Sequence, residues 1–257
     1  MSLLQGVFPF KPNHLGVALT VWFDAADSRT ITESGGLVSA WGDKSGNGNH
    51  AVQSSGALQP TLVGNAVDFD GSNILQVTND PFNGLQDFGV IAVYHVDVTS
   101  NWSNALASMN GDPSYGWQMR QKGANINDRA FSRYGVPNVD FFNTISDATT
   151  DFIGAYYRDS SNVSYIRHDG NADGSNSDGG PIPYTGLSNR SAIGGRYNTN
   201  DWVNIAGQLD GAIKEIIVFE NTSLEKVQKV EGYIAWKWGL EASLPVGHPY
   251  KTSPPTV

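Results

Sequence analysis

The sequence contains no cysteine among its 257 residues, which excludes disulfide bonds and thiolate metal sites. It is also poor in positive charge, with 16 Lys and Arg against 25 Asp and Glu and a net charge of -9. No run of Lys and Arg is longer than two residues. Contact with a nucleic acid backbone requires concentrated positive charge, so this composition argues against nucleic acid as a partner.

Long hydrophobic runs are also absent, so no membrane insertion is expected. Residues 1–12 have neither a basic leader nor an apolar run of secretory length, which predicts no signal peptide. Charged residues make up only 16% of the chain, whereas aromatic residues reach 11% and glycine numbers 29. This composition favours a globular domain of many short strands joined by tight turns. Without a linker or an internal repeat, a single domain is the better interpretation.

Glutamate is scarce, and its distribution bears on catalysis. Enzymes that cleave glycosidic bonds place two carboxylates close together around the bond. Only Glu215 and Glu220 share a predicted strand, and their spacing of five residues puts their side chains on opposite faces. Gln118 with Arg120 is the nearest approach to the residues of polysaccharide lyases, without companion motifs. The sequence therefore predicts a protein that is not an enzyme, with a polysaccharide-degrading enzyme as the last alternative.

Short apolar segments bounded by Gly, Asn, Asp and Ser predict strands between residues 19 and 219. Residues 88–98 begin apolar on both faces, which is expected of a strand in the middle of a sandwich. Residues 115–121 alternate between an aromatic face and a polar face. Residues 170–180 have the composition of a polar loop.

One helix is predicted near the C-terminal end of the sequence. Thr222 and Glu225 have the spacing of a capping box, and Gly239 suits the left-handed position that ends a helix. The apolar stripe at helical spacing comprises Leu224, Val227, Val230, Ile234 and Trp238. We expect this stripe to be buried where the helix closes the end of a β structure.

Six motifs in this order resemble a known family. They are Val21-Trp-Phe-Asp-Ala-Ala-Asp, Trp41-Gly-Asp-Lys-Ser-Gly-Asn-Gly-Asn-His, Val67-Asp-Phe-Asp-Gly-Ser, Ala192-Ile-Gly-Gly-Arg, Leu209-Asp-Gly-Ala-Ile-Lys-Glu-Ile-Ile-Val-Phe and Val230-Glu-Gly-Tyr-Ile-Ala-Trp-Lys-Trp-Gly-Leu. Together they look like the laminin-G-like branch of the concanavalin A-like jelly rolls, in the form found in phage virion and bacterial surface proteins. The combination is specific for the family and uninformative about activity.

The resemblance implies an all-β fold, a two-sheet antiparallel jelly-roll sandwich of concanavalin A-like type with one short C-terminal helix. It covers residues 17–251 as one domain, which leaves an N-terminal arm of residues 1–16 and a C-terminal tail of residues 252–257. Its structural motifs place Trp22, Trp41, Trp236 and Trp238 in the core. Lys214 departs from the pattern, because many members carry Asp there; where that Asp helps to hold calcium, this chain has lost it.

Asp169, Asn171 and Asp173 are the candidate metal ligands, and calcium is the candidate cofactor. They place oxygen donors at alternate positions, as in the first half of an EF-hand loop. The twelfth position of that loop is Gly180, so the bidentate Glu is missing. The alternative is a hairpin that uses Asp-Gly because these residues tolerate positive φ. Asp43 and Asn47 are further candidate oxygen ligands, with an Asx-rich turn as their alternative.

Aromatic residues beside the predicted loops and strand edges are candidates for binding a glycan. Sugar rings present flat C–H surfaces that stack on exposed aromatic faces, and Arg120 is suited to bind their hydroxyl groups. The aromatic candidates are Trp102, Tyr115, Trp117, Tyr134 and Trp202. For each of them the alternative is a place in the core, since a sandwich of this size needs large side chains to fill it.

These observations predict a module that binds rather than catalyses. The resemblance and the apolar N-terminal arm suggest a phage virion accessory protein, either a capsid decoration or a tail-associated adhesin, which binds glycans or cell-surface polysaccharide. The arm would contact capsid or tail proteins, or pack on its own domain. The expected location is the virion surface. The alternative is an exported bacterial lectin-like module at the cell surface or outside the cell.

Overall fold

The structure is a computed structural model that describes residues 9–98, 107–109, 116–121, 128–134, 139–144, 149–177, 180–182, 191–197 and 205–257. Only the backbone is described for residues 107–109, 116, 121, 128–134 and 139–144.

Strands and short helices make up the described chain. The strands are β1 (Leu19–Asp24), β2 (Ile31–Ser34), β3 (Leu37–Trp41), β4 (Ala51–Val52), β5 (Thr61–Val63), β6 (Ala66–Asp70), β7 (Leu75–Val77), β8 (Phe88–Tyr94), β9 (Ala107–Met109), β10 (Gly116–Gln121), β11 (Asp128–Tyr134), β12 (Val139–Thr144), β13 (Phe152–Arg158), β14 (Val163–His168), β15 (Asn171–Ser177), β16 (Ser191–Ile193), β17 (Arg196–Tyr197), β18 (Ile205–Ala206) and β19 (Asp210–Glu220). The α-helix α1 is Leu224–Trp238, and the 3-10 helices are Pro12–Ala18, Ser28–Thr30, Gly56–Leu58 and Glu241–Ser243.

The strands form the two-layered antiparallel jelly roll that the resemblance implied. In the first sheet β19 lies between β1 and β8, and the order continues from β8 through β13 and β14 to β15. The second sheet runs β3, β4, β7, β16, β9, β10, β11 and β12. β6 pairs with β19, and β5 pairs with both β6 and β3, so hydrogen bonding continues from one sheet to the other.

The strand β8 has an apolar core on each of its faces, as its sequence predicted. All seven of its residues are buried. Val90, Ala92 and Tyr94 face the core between the sheets, whereas Ile91 and Val93 belong to a second core on the outer face of the first sheet. Because side chains alternate along a strand, a strand that is covered on both faces must be apolar throughout.

The helix α1 forms a third layer on the outer face of the first sheet. Val227, Val230 and Ile234 are fully buried there, in one cluster with Ile91 and Ile217 of the sheet. Three of the five residues of the predicted apolar stripe are thus fully buried, but the expectation that the helix closes the end of the sandwich is wrong. No helix in the described parts of the chain is long and apolar enough to cross a membrane.

The ends of α1 differ in part from the prediction. Ser223, not Thr222, caps the helix, and its hydroxyl accepts a hydrogen bond from the Lys226 amide at 3.3 Å. The Thr222 amide instead donates to the Asp87 carboxylate at 2.6 Å, which ties the start of the helix to the end of the loop before β8. Leu224 is 45% exposed because it lies in the first turn, beyond the edge of the buried stripe. Gly239 ends the helix with φ 72, as predicted.

The tryptophans assigned to the core divide into two groups. Trp41 is fully buried and Trp22 nearly so. Trp236 is 37% exposed, which corrects its assignment to the core. It follows the buried Ile234 by two residues, about 200° around the helix axis, and so points away from the sheet. Trp238 is partly buried, packed beside the second core.

The described half of the N-terminal arm packs on its own domain. Phe10 is buried in the cluster beneath α1, its amide donates to the Pro255 carbonyl at 2.9 Å, and Pro9 forms an isolated β-bridge with Thr256. Residues 1–8 of the arm lie outside the described residues, so a contact of the arm with a partner stays a prediction.

Candidate functional site

Trp117 is a core residue and not an exposed sugar platform, which corrects the sequence interpretation. It is fully buried, with its ring centroid 5.0 Å from that of Phe88 and 5.4 Å from that of Phe82. Met119, two residues further along β10, shares the core between the sheets. The aromatic face of this strand therefore points inward, and no face of Trp117 is left for a sugar ring.

The other predicted ligand residues divide into two groups. Arg120 is 9% exposed, and Tyr134 has its backbone paired with Gly116. By register, Arg120 and Tyr134 occupy positions on the face of β10 and β11 opposite Trp117. Trp102, Tyr115 and Trp202 lie outside the described residues. All five remain predictions.

A row of mostly polar positions crosses the second sheet on the face opposite Trp117. Gln118 pairs with Ser108, Ser108 with Ala192, Ala192 with Gln76, and Gln76 with Val52. Their neighbours along the strands, such as Leu75, Val77 and Ile193, fill the core between the sheets. Since side chains alternate, the row marks the face turned away from the core between the sheets, which we call the polar face of the second sheet. Gln118 and Ala192 are buried on this face, and Ala192 packs there with Ile74 and Tyr197.

A groove of about 270 Å³ opens on the polar face where β3, β4 and β7 meet. It is lined by Ser39, Val52, Gln53, Ser54 and Gln76. The Gln53 side chain is fixed, because its amide nitrogen donates to the Ile74 carbonyl at 2.9 Å and its oxygen accepts from the Ser55 amide at 3.0 Å. The lining thus offers amide and hydroxyl groups and no charged group, a set suited to the hydroxyls of a neutral ligand.

The groove was not predicted. Its residues come from short segments in which single Gln and Ser residues alternate with apolar ones, as in Leu75-Gln76-Val77. That pattern is typical of any half-buried strand. Only the pairing of β4 with β7 brings Gln53 and Gln76 to one place.

The predicted calcium ligands lie on a hairpin. Asp169 and Gly170, with φ 47 and φ 77, form the two-residue turn between β14 and β15, and His168 pairs with Asn171 across it. The Asp169 carboxylate accepts the Ile153 amide at 2.8 Å, while Asn171 and Asp173 belong to β15. The expected loop at residues 170–180 is thus a strand up to Ser177. No group of three or more His, Asp or Glu positioned for a metal ion occurs in the described chain, and the calcium expectation stays a prediction.

The loop after β3 is an Asx-rich turn fastened to β1. The Asp43 carboxylate accepts hydrogen bonds from the amides of Trp22 and Ser45, both at 2.9 Å, and from the Asn49 amide at 3.1 Å. The Asn47 side chain donates to the Leu19 carbonyl at 2.8 Å. The Asp43 oxygens and the Asn47 amide nitrogen thus hold the turn on β1, as the alternative interpretation of this segment expects, and their role as calcium ligands stays a prediction.

Glu215 is a fully buried carboxylate between β19 and α1. It accepts hydrogen bonds from Trp22 Nε1 at 2.7 Å, Trp238 Nε1 at 2.6 Å and the Tyr233 hydroxyl at 3.2 Å, and it contacts Lys237 Nζ at 2.7 Å. Burial raises the pKa of Glu215, and the nearby Lys237 opposes that shift. Glu220 is exposed, so the predicted placement of these two Glu residues on opposite faces is confirmed.

A second buried carboxylate, Glu231 of α1, binds Arg167 of β14. Arg167 Nε lies 2.7 Å from Oε1, and Nη2 lies 3.0 Å from Oε2, a two-point contact. His248 Nε2 lies 3.2 Å from Oε2. Glu231 and His248 are both buried, so this cluster ties the helix and the C-terminal segment to the sheet.

Lys214, which departs from the family pattern, forms an ion pair with Asp151. Asp151 also contacts His95 Nδ1 at 2.8 Å, and this hydrogen bond raises the pKa of His95 and lowers the pKa of Asp151. The group is partly exposed at the end of β8.

No family model matches this sequence, and no curated protein matches it. Solved structures show its fold. The carbohydrate-binding module CBM40 of Ruminococcus gnavus IT-sialidase, bound to alpha2,3 sialyllactose, is similar with a TM-score of 0.52 and 14% identity, over 63% of this chain and 94% of that one. The botulinum neurotoxin serotype G binding domain is similar with a TM-score of 0.58 and 13% identity, over 87% of this chain and 52% of that one.

This chain has the jelly-roll fold of these binding domains. A third similar structure, the binding domain of botulinum neurotoxin serotype D/C VPI 5993, has a TM-score of 0.56 and 10% identity over 86% of this chain. The chain spans about half of each toxin structure. Identities this low establish the fold alone, because unrelated functions share such folds.

Proposed function

We propose that this protein is a non-catalytic glycan-binding module whose ligand lies on the polar face of the second sheet. The observation that carries the proposal is the groove lined by Ser39, Gln53, Ser54 and Gln76. In the described chain the side chains of Ser54 and Gln76 have no hydrogen-bonding partner in the protein, so their donors and acceptors are available to sugar hydroxyls. The jelly-roll fold that this chain shares with carbohydrate-binding modules supports the same conclusion.

The two buried glutamates support a binding role over catalysis. Glu215 and Glu231 each make three or more side-chain contacts within the fold, and neither lines the groove. A glycosidase would need two carboxylates flanking the bond to be cleaved, and the groove lining contains none.

The proposed ligand contacts include residues predicted from the sequence. Arg120 and Tyr134 lie by register on the polar face, and we propose Trp102, Tyr115 and Trp202 as aromatic contacts around it. The wider setting is also a proposal: a phage virion surface, with the N-terminal arm bound to capsid or tail proteins, or a bacterial cell surface. Calcium bound through Asp169, Asn171 and Asp173 would be an additional element of the module.

A glycan array with neutral and sialylated glycans tests the proposal. We expect Gln76→Ala to weaken binding at least tenfold, since it removes two polar groups from the groove. Gln228→Ala, on α1 at the other side of the sandwich, is the matched control and should bind as the wild type does. Equal loss in both variants, or no binding by the wild-type protein, would contradict the proposal. Co-sedimentation with phage particles separates the virion setting from the bacterial one.

A further inference from the structure

The side chains of Asp24, Glu215 and Lys237, which the proposed function does not use, meet between β1, β19 and α1. Lys237 Nζ lies 2.6 Å from Asp24 Oδ1 and 2.7 Å from Glu215 Oε2. Asp24 is 4% exposed and Glu215 is fully buried. An amine, a carboxyl carbon that it can attack and a second carboxylate that can take its proton are therefore within contact distance.

The surroundings of Glu215 and Asp24 limit the access of water, whereas the Lys237 side chain is 21% exposed. Trp22, Tyr233 and Trp238 pack around Glu215 and donate hydrogen bonds to it. Burial raises the pKa of Glu215, which favours its acceptance of a proton. In such a site a condensation that releases water is far less opposed than in bulk solvent, and fixed contact between the reacting groups replaces a bimolecular encounter.

A second lysine is placed to assist. Lys44 Nζ lies 2.7 Å from Asp24 Oδ2 and 3.0 Å from Asp27 Oδ2. Its positive charge faces the oxygen on which negative charge would develop when the Asp24 carbon is attacked. Lys44 makes no contact with Glu215, and its second carboxylate is Asp27. Hydrogen bonds from Arg29 and Lys44 lower the pKa of Asp27, whereas burial raises the pKa of Glu215, so Lys237 has the better proton acceptor.

We propose that Lys237 and Asp24 form an intramolecular amide bond that joins α1 to β1, with Glu215 as the proton acceptor. Glu215 takes one proton from the Lys237 ammonium, and the neutral nitrogen attacks the carboxyl carbon of Asp24. A C–N bond forms, and the C–O bond to one Asp24 oxygen breaks. That oxygen leaves as water with two of the three ammonium protons, one returned by Glu215 and one lost by the nitrogen after the attack, while the third stays on the amide nitrogen. One ammonium and one carboxylate thus give one amide and one water, with no other reactant.

The bond would link residues near the two ends of the described fold. It would close almost the whole chain into one loop, and closure of a long loop restricts the unfolded state. A module so linked could not lose α1 from the first sheet without breaking a covalent bond. This inference is independent of glycan binding, since none of its residues lines the groove.

Intact-mass spectrometry of the denatured full chain tests the proposal directly. We expect a mass lower than that of the sequence by one water, about 18 Da, and a proteolytic fragment in which the peptides carrying Asp24 and Lys237 are joined. A wild-type mass equal to that of the sequence would overturn the proposal, whatever the variants do.

Three variants then assign the atoms. Lys237→Arg keeps the positive charge but lacks the primary amine, so the full mass should return; a deficit that persists overturns the assignment. Lys44→Arg is the matched control and should keep the deficit. Glu215→Gln should show the full mass in folded protein, as judged by circular dichroism, and a persistent deficit would exclude Glu215 as the acceptor. If Glu215→Gln does not fold, the wild-type and Lys237→Arg masses still decide whether the bond exists.

Discussion

The helix α1 covers two buried carboxylates that are held in different ways. Glu231 faces a single guanidinium in a two-point contact, with His248 as a second partner. Glu215 faces two indoles, a phenol and Lys237, and that lysine is shared with Asp24. The first arrangement matches one charge with one charge through two parallel hydrogen bonds. In the second arrangement one carboxylate accepts hydrogen bonds mostly from neutral donors.

This difference shows that burial alone does not define the role of a carboxylate. The charge of Glu231 depends on Arg167, so removing that partner leaves a buried charge without compensation. The pKa of Glu215 is raised by burial. When Glu215 is neutral, the neighbouring Lys237 still forms an ion pair with Asp24. We therefore interpret the Glu231 cluster as a fixed anchor and the Glu215 cluster as one that tolerates the movement of a proton.

Arg167→Met should have the largest effect on stability. It keeps a long apolar side chain but leaves Glu231 buried with His248 as its remaining side-chain partner. We expect a loss of about 3–5 kcal/mol in the free energy of unfolding, measured by urea denaturation.

The double variant Arg167→Met with Glu231→Leu provides the control. Because both charges are then absent, it should recover much of the loss. A single variant as stable as the wild type would show that Glu231 is not an anchor.

Glu215→Gln should cost less, about 1–3 kcal/mol, because no charge is left without a partner. Lys237 still has the Asp24 carboxylate as a partner, 2.6 Å away, and the side-chain oxygen of Gln can still accept a hydrogen bond from an indole N–H. This range applies to the lost hydrogen bonds and charge contact alone; a variant that also returns to the full sequence mass lacks the amide bond as well, so its loss should then exceed this range. A loss equal to that of Arg167→Met, with no change in mass, would remove the contrast between the two clusters.

The dependence of stability on pH should also distinguish Glu215. Its folded pKa is raised above the ordinary value of 4.5, so its stability contribution is fully present below about pH 4.5 and is lost as the pH rises through the raised pKa. The free energy of unfolding of the wild type, minus that of Glu215→Gln, should therefore fall as the pH increases over this range. Denaturation curves at several pH values measure the difference, and a rise with pH would contradict the expected sign.

The fold was largely predictable because the buried strands carry their own signal. Phe152–Arg158 and Val163–His168 lie within the region, residues 19–219, in which short strands were predicted. β15 was missed because Asn171–Ser177 is polar and lies at the margin of its sheet, where backbone pairing with β14 forms the strand without an apolar face. The place of α1 was mistaken because a stripe at helical spacing indicates that one side is buried but not which surface covers it.

The site was less predictable than the fold. An aromatic residue in an alternating strand is identified easily, but its face depends on the partner sheet, and Trp117 faced the core. The groove joins Ser39 to Gln76 through two strand pairings, which no local pattern encodes. The Glu215 cluster joins β1 to β19 and α1, although Trp22 and Glu215 are 193 positions apart in sequence.

Tyr233→Phe should have the smallest effect of these changes. It removes one hydroxyl, 3.2 Å from Glu215 Oε1, while both indoles and Lys237 remain, so we expect a loss of about 0.5–1.5 kcal/mol by urea denaturation. Tyr165→Phe is the matched control, because its hydroxyl lies at the same 3.2 Å from the Asp159 carboxylate near the protein surface. There water can replace the lost donor, so the control should lose less than Tyr233→Phe. Equal losses would mean that the Glu215 site is hydrated, and the interpretation of a dry cluster beneath α1 would then be wrong.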